Sequence, residues 1–156
     1  MEKPRKIMFV CLGNICRSPM AELLMKDMLK KLGRENEFVI ESSATSDENI
    51  FSGVGAPVYT PIKKLLESKG ISCEAKRARQ LTASDGEVFD LFLCMDDNNI
   101  RNAKRILGAK NGEKCKKLLA YAGENGSVAD PWYTRDFNAA YEDIYRGLQG
   151  LLKAML

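Results

Sequence analysis

Residues 6–19 read Lys6-Ile7-Met8-Phe9-Val10-Cys11-Leu12-Gly13-Asn14-Ile15-Cys16-Arg17-Ser18-Pro19. The apolar run from Lys6 to Val10 is short and almost unbroken, the pattern of a central strand buried on both faces. Ser18-Pro19 opens a helix, because serine suits the N-cap and proline suits the first helical position, where no N–H is needed. Met20, Ala21, Leu24, Met25, Met28 and Leu32 then recur as one apolar stripe that ends near Gly33. Between strand and helix, Cys11 to Arg17 is a loop. Glu37 to Ser43 predicts a second strand, so this stretch is a strand–loop–helix–strand unit with a parallel crossover.

The rest of the chain repeats the alternation. Residues 44–56 are rich in Ser, Gly and Asn and read as a surface loop. Thr60-Pro61 repeats the cap-then-proline signal, Ile62, Leu65 and Leu66 carry a helix, and Gly70 stops it. Phe89 to Met95 predicts a third strand, with Asp96 as the cap of the next helix. Lys117 to Ala122 predicts a fourth strand, and residues 123–135 a second long loop. Phe137, Ala140, Tyr141, Ile144, Leu148, Leu151, Leu152 and Met155 recur at helical spacing to the end. The predicted fold is α/β: a single-domain three-layer sandwich over residues 1–156, with a central four-stranded parallel sheet. In such sheets ligands sit beyond the carboxyl ends of the strands, where the 11–18 loop, the 42–56 loop and the Asp96 turn fall.

Composition narrows the chemistry. The 156 residues fit one domain, with 45% hydrophobic and 29% charged residues typical of a globular protein. A net charge of +3 is too slight to argue for nucleic acid. The chain contains no histidine, which excludes Ser-His-Asp and Cys-His nucleophile pairs and His-ligated zinc. Five cysteines, at 11, 16, 73, 94 and 115, are an odd number and argue against a secreted disulfide framework. Cys73, Cys94 and Cys115 read as core or surface thiols, without the close pairing zinc requires, so no metal and no cofactor are expected. The amino end lacks the long apolar region of a signal peptide, and no run approaches the roughly 18 residues of a membrane span. The expected setting is cytoplasmic, with no membrane or nucleic-acid partner. Lys76-Arg77-Ala78-Arg79 reads as a solvated face or local ion pairing.

The loop carries the chemistry. A free cysteine at a strand end is most often a small buried hydrophobe. Here Arg17 follows six positions later, just before a helix, and the intervening amides can form a nest reinforced by the helix dipole. A tetrahedral oxyanion such as phosphate fits that nest, with the sulfur beneath it. Gly13 and then Asn14 are the residues most tolerant of the backbone angles required. Arg17 offers a planar fork for two oxygens, and the Ser18 hydroxyl can donate to the sulfur if it points inward. Nest, dipole and guanidinium all favour a thiolate, so a nucleophile arises without an imidazole.

Cys11-x5-Arg17-Ser18, continuing Pro19-Met20-Ala21-Glu22, resembles the signature of the low-molecular-weight protein tyrosine phosphatases. The likeness extends through Glu41-Ser42-Ser43-Ala44, Ala78-Arg79-Gln80-Leu81, Cys94-Met95-Asp96 and Asp130-Pro131-Trp132-Tyr133. The resemblance implies hydrolysis of phosphotyrosine in proteins, and of small aryl phosphates, through a phosphocysteine intermediate. It implies Cys11 as nucleophile, Arg17 as oxyanion clamp and Asp130 as general acid and then base. Leu12, Gly13, Asn14, Ile15, Cys16 and Ser18 would complete the phosphate-binding loop. Trp132 and Tyr133 would wall the substrate ring, and Asn14 and Ser42 would belong to a network holding the loop. Cys16 would offer a reversible protective disulfide with Cys11 under oxidation. A monomer or weak homodimer is expected.

Two positions depart from the family pattern. Lys76 stands where a histidine often supports the loop asparagine; a lysine donates but cannot accept, so the support of Asn14 must differ or be absent. Glu48 stands near the place of a pocket tryptophan, which predicts a more acidic or differently shaped rim. Arsenate reductase, protein-arginine phosphatase and a phosphopeptide-binding module are the alternatives. The first wants a close late cysteine pair, which is missing. Arginine phosphatases tend to carry threonine at the position of Ile15, and a binding module needs no acid beside its nucleophile.

Overall fold

The computed structural model describes residues 5–156; residues 1–4, part of the amino end read above for a signal peptide, lie outside the described residues. Strand β1 (Arg5–Cys11) is the centre of the molecule, and its side chains alternate between two cores. Ile7, Phe9 and Cys11 enter one core; Met8 and Val10 enter the other. All are at most 3% exposed, which is why the run shows no polar alternation. The sheet has the order β2-β1-β5-β6, with β2 (Phe38–Ala44), β5 (Leu91–Cys94) and β6 (Cys115–Lys117), every pairing parallel.

Helices α1 (Arg17–Lys31), α2 (Thr60–Glu67) and α6 (Phe137–Met155) cover the first face, where Met20, Leu24, Ile62, Ile144 and Leu148 pack on Phe9 and Leu93. Helices α3 (Asp85–Val88) and α4 (Asp97–Gly112) cover the second, with Ala103 and Leu107 against Phe92. The predicted three-layer sandwich on a four-stranded parallel sheet is the observed fold. Among the described residues no helix is long and apolar enough to cross a membrane.

Several local expectations need correction. Helix α1 begins at Arg17 with Cys16 in the cap position, so Ser18 is not the N-cap. Ser18 is fully buried and its hydroxyl faces the Cys11 sulfur instead of a helix amide. Leu32 is exposed, because the helix ends there and Gly33, at φ 68, turns the chain away in a Schellman-type cap. Thr60 does not cap α2; Tyr59 occupies that place without a side-chain bond. Within residues 44–56 a small hairpin forms, β3 (Ile50–Phe51) with β4 (Val54–Gly55), around Ser52 and Gly53, both at positive φ.

The fourth strand also shifts. Residues 115–117 pair with β5, whereas Leu118–Ala122 is a 3-10 turn. Leu118 and Leu119 are adjacent, and both bury in the first core, which a strand's alternation forbids. They are drawn to α6, where a Cβ at Gly150 would collide with the Tyr121 carbonyl. The 123–135 loop contains the four-residue helix α5 (Pro131–Thr134).

Candidate active site

Strand β1 delivers Cys11 to the carboxyl edge of the sheet, and the chain then circles back over the sulfur before entering α1. The carbonyls of this loop are held from outside. Cys11 O accepts from Thr45 N at 3.0 Å, Leu12 O from Ser46 N at 3.1 Å, and Gly13 O from Asn49 Nδ2 at 3.0 Å. Ile15 O accepts from Tyr59 N at 2.9 Å, and Cys16 O from Met20 N at 3.2 Å. A trans peptide points its C=O and the following N–H in opposite directions. Turning these carbonyls outward therefore turns the amides of Leu12, Gly13, Asn14, Cys16 and Arg17 inward. The Asn14 amide bears this out, lying 3.3 Å from Cys11 Sγ. Such a ring of inward amides has the form of an anion nest, shaped by residues from 45 to 59 and the first turn of α1.

Asn14 adopts the left-handed conformation at φ 57 and is buried. Its Oδ1 accepts from Arg79 N at 3.0 Å, which fixes the amide orientation; its Nδ2 donates to Ser18 Oγ at 2.8 Å and Ser42 Oγ at 2.9 Å. Ser42 Oγ donates onward to Glu22 Oε1 at 2.6 Å. Ser18 Oγ, which accepts from Asn14, lies 2.9 Å from Cys11 Sγ, within reach to donate its hydrogen to a thiolate there. The network fans out from Asn14 Nδ2, one branch passing through Ser18 to the sulfur and the other through Ser42 to the Glu22 carboxylate.

Lys76 meets that carboxylate. Its Nζ lies 3.1 Å from Glu22 Oε1 and 3.3 Å from the Ser42 carbonyl. Burial pushes the Glu22 carboxyl up, but Lys76, with hydrogen bonds from Lys26 and Ser42, outweighs it and holds the group below the usual carboxylate range. The support of Asn14 does differ, two residues removed: Lys76 reaches it through Glu22 and Ser42, and Asn14 keeps hydrogen-bond partners of its own. In the same basic run, Arg79 pairs with Asp85 at 3.0 Å, the local ion pairing read from the sequence.

Arg17 is 2% exposed and aimed by three acceptors. Nη1 donates to Asp96 Oδ2 and to Val128 O, both at 2.8 Å, and Nη2 reaches Asp130 Oδ2 at 3.5 Å. Burial disfavours its charge, but the Cys11 sulfur and the two carboxylates outweigh burial and hold the guanidinium ionised. Asp96 is thus more than the helix cap expected of it. Its Oδ1 accepts from Asn99 N while Oδ2 grips Arg17. Its position at the carboxyl end of β5 was the available signal. Asp130 caps α5 by accepting from Trp132 N at 3.0 Å, which swings its other oxygen toward Arg17.

These groups border a cleft of about 220 Å³ lined by the loop from Cys11 to Arg17, with Glu48, Asn49, Asp130, Trp132 and Tyr133. Trp132 and Tyr133 are 49% and 76% exposed and form a wall rather than core. A Cβ at Gly13 would run into the Asn49 side chain, so glycine is needed for the close approach. Glu48 stands on the rim, as expected. Cys16 is buried in the same loop, and desolvation, then the neighbouring Cys11 and Asp130, push its thiol up to about 12.

The sequence profile of the family described as low molecular weight phosphotyrosine protein phosphatase matches residues 6–156. The chain belongs to that family. As a low molecular weight phosphatase family member it is 35% identical to the low molecular weight protein-tyrosine-phosphatase YfkJ of Bacillus subtilis, over 96% of this chain and 94% of the relative. It is 33% identical to the low molecular weight phosphotyrosine protein phosphatase of Sus scrofa, over the same shares. The crystal structure of YfkJ superposes with a TM-score of 0.91 at 34% identity, covering 99% of this chain and 96% of that one.

Proposed function

We propose that this protein is a cysteine-dependent protein tyrosine phosphatase that uses Cys11, Arg17 and Asp130. The reading is carried by one convergence: a sulfur under a nest of inward amides, with Arg17 and Asp130 meeting at its mouth. The phosphate of phosphotyrosine enters the nest with its aryl ring between Ile15 and the Trp132–Tyr133 wall. Cys11 attacks phosphorus; the S–P bond forms as the P–O bond to the ring breaks. Asp130 gives its proton to the departing phenolate, whose conjugate acid has a pKa of about 10 and which leaves slowly unprotonated. Arg17 and the loop amides stabilise the equatorial oxygens, where transition-state charge is spread. Asp130, now a carboxylate, takes a proton from the water that attacks the phosphocysteine, and the sulfur departs as thiolate with release of phosphate.

Ile15 on the cleft wall supports an aryl substrate over a guanidino one. Cys16 in the same loop supports a protective disulfide: a peroxide oxidises the Cys11 thiolate to a sulfenic acid, and Cys16 condenses with it, losing water. The odd number of thiols supports a reducing, cytoplasmic setting.

The test is hydrolysis of p-nitrophenyl phosphate and a phosphotyrosine peptide by the purified protein in the presence of a chelator. Turnover with competitive inhibition by phosphate or vanadate is expected, and Cys11→Ser abolishes it while retaining oxyanion binding. Substantial activity in that variant removes Cys11 from the mechanism.

A further inference from the structure

Asp130 is the N-cap of α5, a helix of four residues and far too short to hold its own position. Two groups outside the catalytic set, Arg135 and Tyr59, touch that helix. Arg135, at the C-cap of α5, takes the left-handed conformation at φ 60, an uncommon choice for arginine, and its amide donates to Pro131 O at 2.9 Å. That backbone turn sends the side chain toward Tyr59. The guanidinium lies 5.5 Å from the Tyr59 ring centre and 5.2 Å from that of Phe137, and Nη1 donates to Tyr59 Oη at 2.9 Å. The Tyr59 ring also packs on Trp132, with centres 4.9 Å apart. At its other end, Tyr59 donates its amide to Ile15 O in the phosphate loop. One residue therefore joins the nucleophile loop to the acid helix.

We propose that Tyr59 and Arg135 form a clasp that sets the position of Asp130 over the Cys11 loop, making Arg135 a positioning residue for leaving-group protonation. The inference rests on the reading of Asp130 as the acid. A proton must be delivered along a narrow range of geometries, and the direct tie from Asp130 to Arg17 is long at 3.5 Å. Stacking of a cation on aromatic faces, with a hydrogen bond to one of them, supplies the missing restraint from outside the cleft.

The left-handed backbone allows a clean test, because asparagine tolerates that conformation and lacks the reach to Tyr59. The full chain is assayed on phenyl phosphate and p-nitrophenyl phosphate, comparing kcat/KM for the parent, Arg135→Asn, Arg135→Lys and Asp130→Asn. Arg135→Asn is expected to lose about tenfold on phenyl phosphate and less than about threefold on the nitrophenyl ester, whose leaving group needs less protonation. Arg135→Lys keeps a cation over the two rings and recovers most of the loss. Equal losses on both substrates, which removal of a positive charge at the cleft mouth produces, overturn the clasp, as does no loss. If Arg135→Asn folds poorly, Tyr59→Phe keeps the ring and deletes only the hydrogen bond, and it must show the same selectivity in smaller degree. Absence of a selective loss in Asp130→Asn defeats the acid assignment itself; its presence there and not in Arg135→Asn defeats only the clasp.

Discussion

Asp96 and Arg17 meet through Oδ2 and Nη1 at 2.8 Å, although they lie 79 residues apart in the chain. The same carboxylate accepts from Asn99 N through Oδ1, so one side chain both starts α4 and aims Arg17, the proposed oxyanion clamp. The orientation of Arg17 is thereby coupled to the helix on the opposite face of the sheet.

Asp96→Asn keeps an oxygen for the cap but weakens the charge-assisted bond to Arg17, so it separates the two duties. We expect kcat/KM to fall about tenfold, equally for phenyl and p-nitrophenyl phosphate, the loss of one charge-assisted hydrogen bond. Asp96→Ala also removes the cap and lowers stability by about 1 kcal/mol. Steady-state kinetics with both esters, beside urea denaturation, checks both; a loss confined to phenyl phosphate contradicts the assignment.

Ser18→Ala deletes the hydroxyl donor on the sulfur while Asn14 keeps Ser42 and Arg79. Hydrogen bonds to charged groups contribute about 1.5–3 kcal/mol, so kcat is expected to fall roughly tenfold to a hundredfold. An unchanged rate contradicts donation to the thiolate.

Glu22 gives the fold a pH signature. Its folded pKa lies below the ordinary value, so its contribution to stability is present above the unfolded pKa and is lost as pH falls through the folded one. Glu22→Gln is therefore less stable than the parent near neutrality and loses less on acidification below about pH 4. Lys76→Met removes the buried one of the two lysines that pair with Glu22, leaving only the half-exposed Lys26, and is expected to cost about 1–3 kcal/mol. Urea melts from pH 3 to 8 measure both effects; parallel curves for parent and Glu22→Gln contradict the buried pair.

Cys16 is pushed up to about 12 and stays a thiol near neutrality. Brief treatment with iodoacetamide at pH 7 is expected to label Cys11 and spare Cys16, with inorganic phosphate protecting. Peptide mass spectrometry locates the label; equal labelling of both contradicts the difference between the two sulfurs.

The α/β alternation was legible because β1 is an unbroken apolar run and α6 carries a helical repeat, patterns that local chain geometry reads directly. The loop proposed to carry the nucleophile was legible too, since Cys11, Gly13, Asn14, Arg17 and Ser18 are close in sequence and their spacing is itself the geometry. The Leu118–Ala122 segment misled because its apolar run resembles a strand, and only the close approach of α6 at Gly147 and Gly150 shows where those leucines go. Glu22 was hidden inside an apolar helical stripe, and its meaning appears only when Ser42 and Lys76 arrive beside it.

Chain-local information was sufficient for the α/β alternation, the absence of imidazole chemistry and the anion-binding loop, because each depends on residues within a few turns of one another. The second duty of Asp96, the direction of the hydrogen bonds leading to Cys11, and the Tyr59–Arg135 contact were decided by the packed sheet alone. They join segments 20 to 80 residues apart. Distances across that much chain are set by how the layers close on one another, and no spacing along the backbone encodes them.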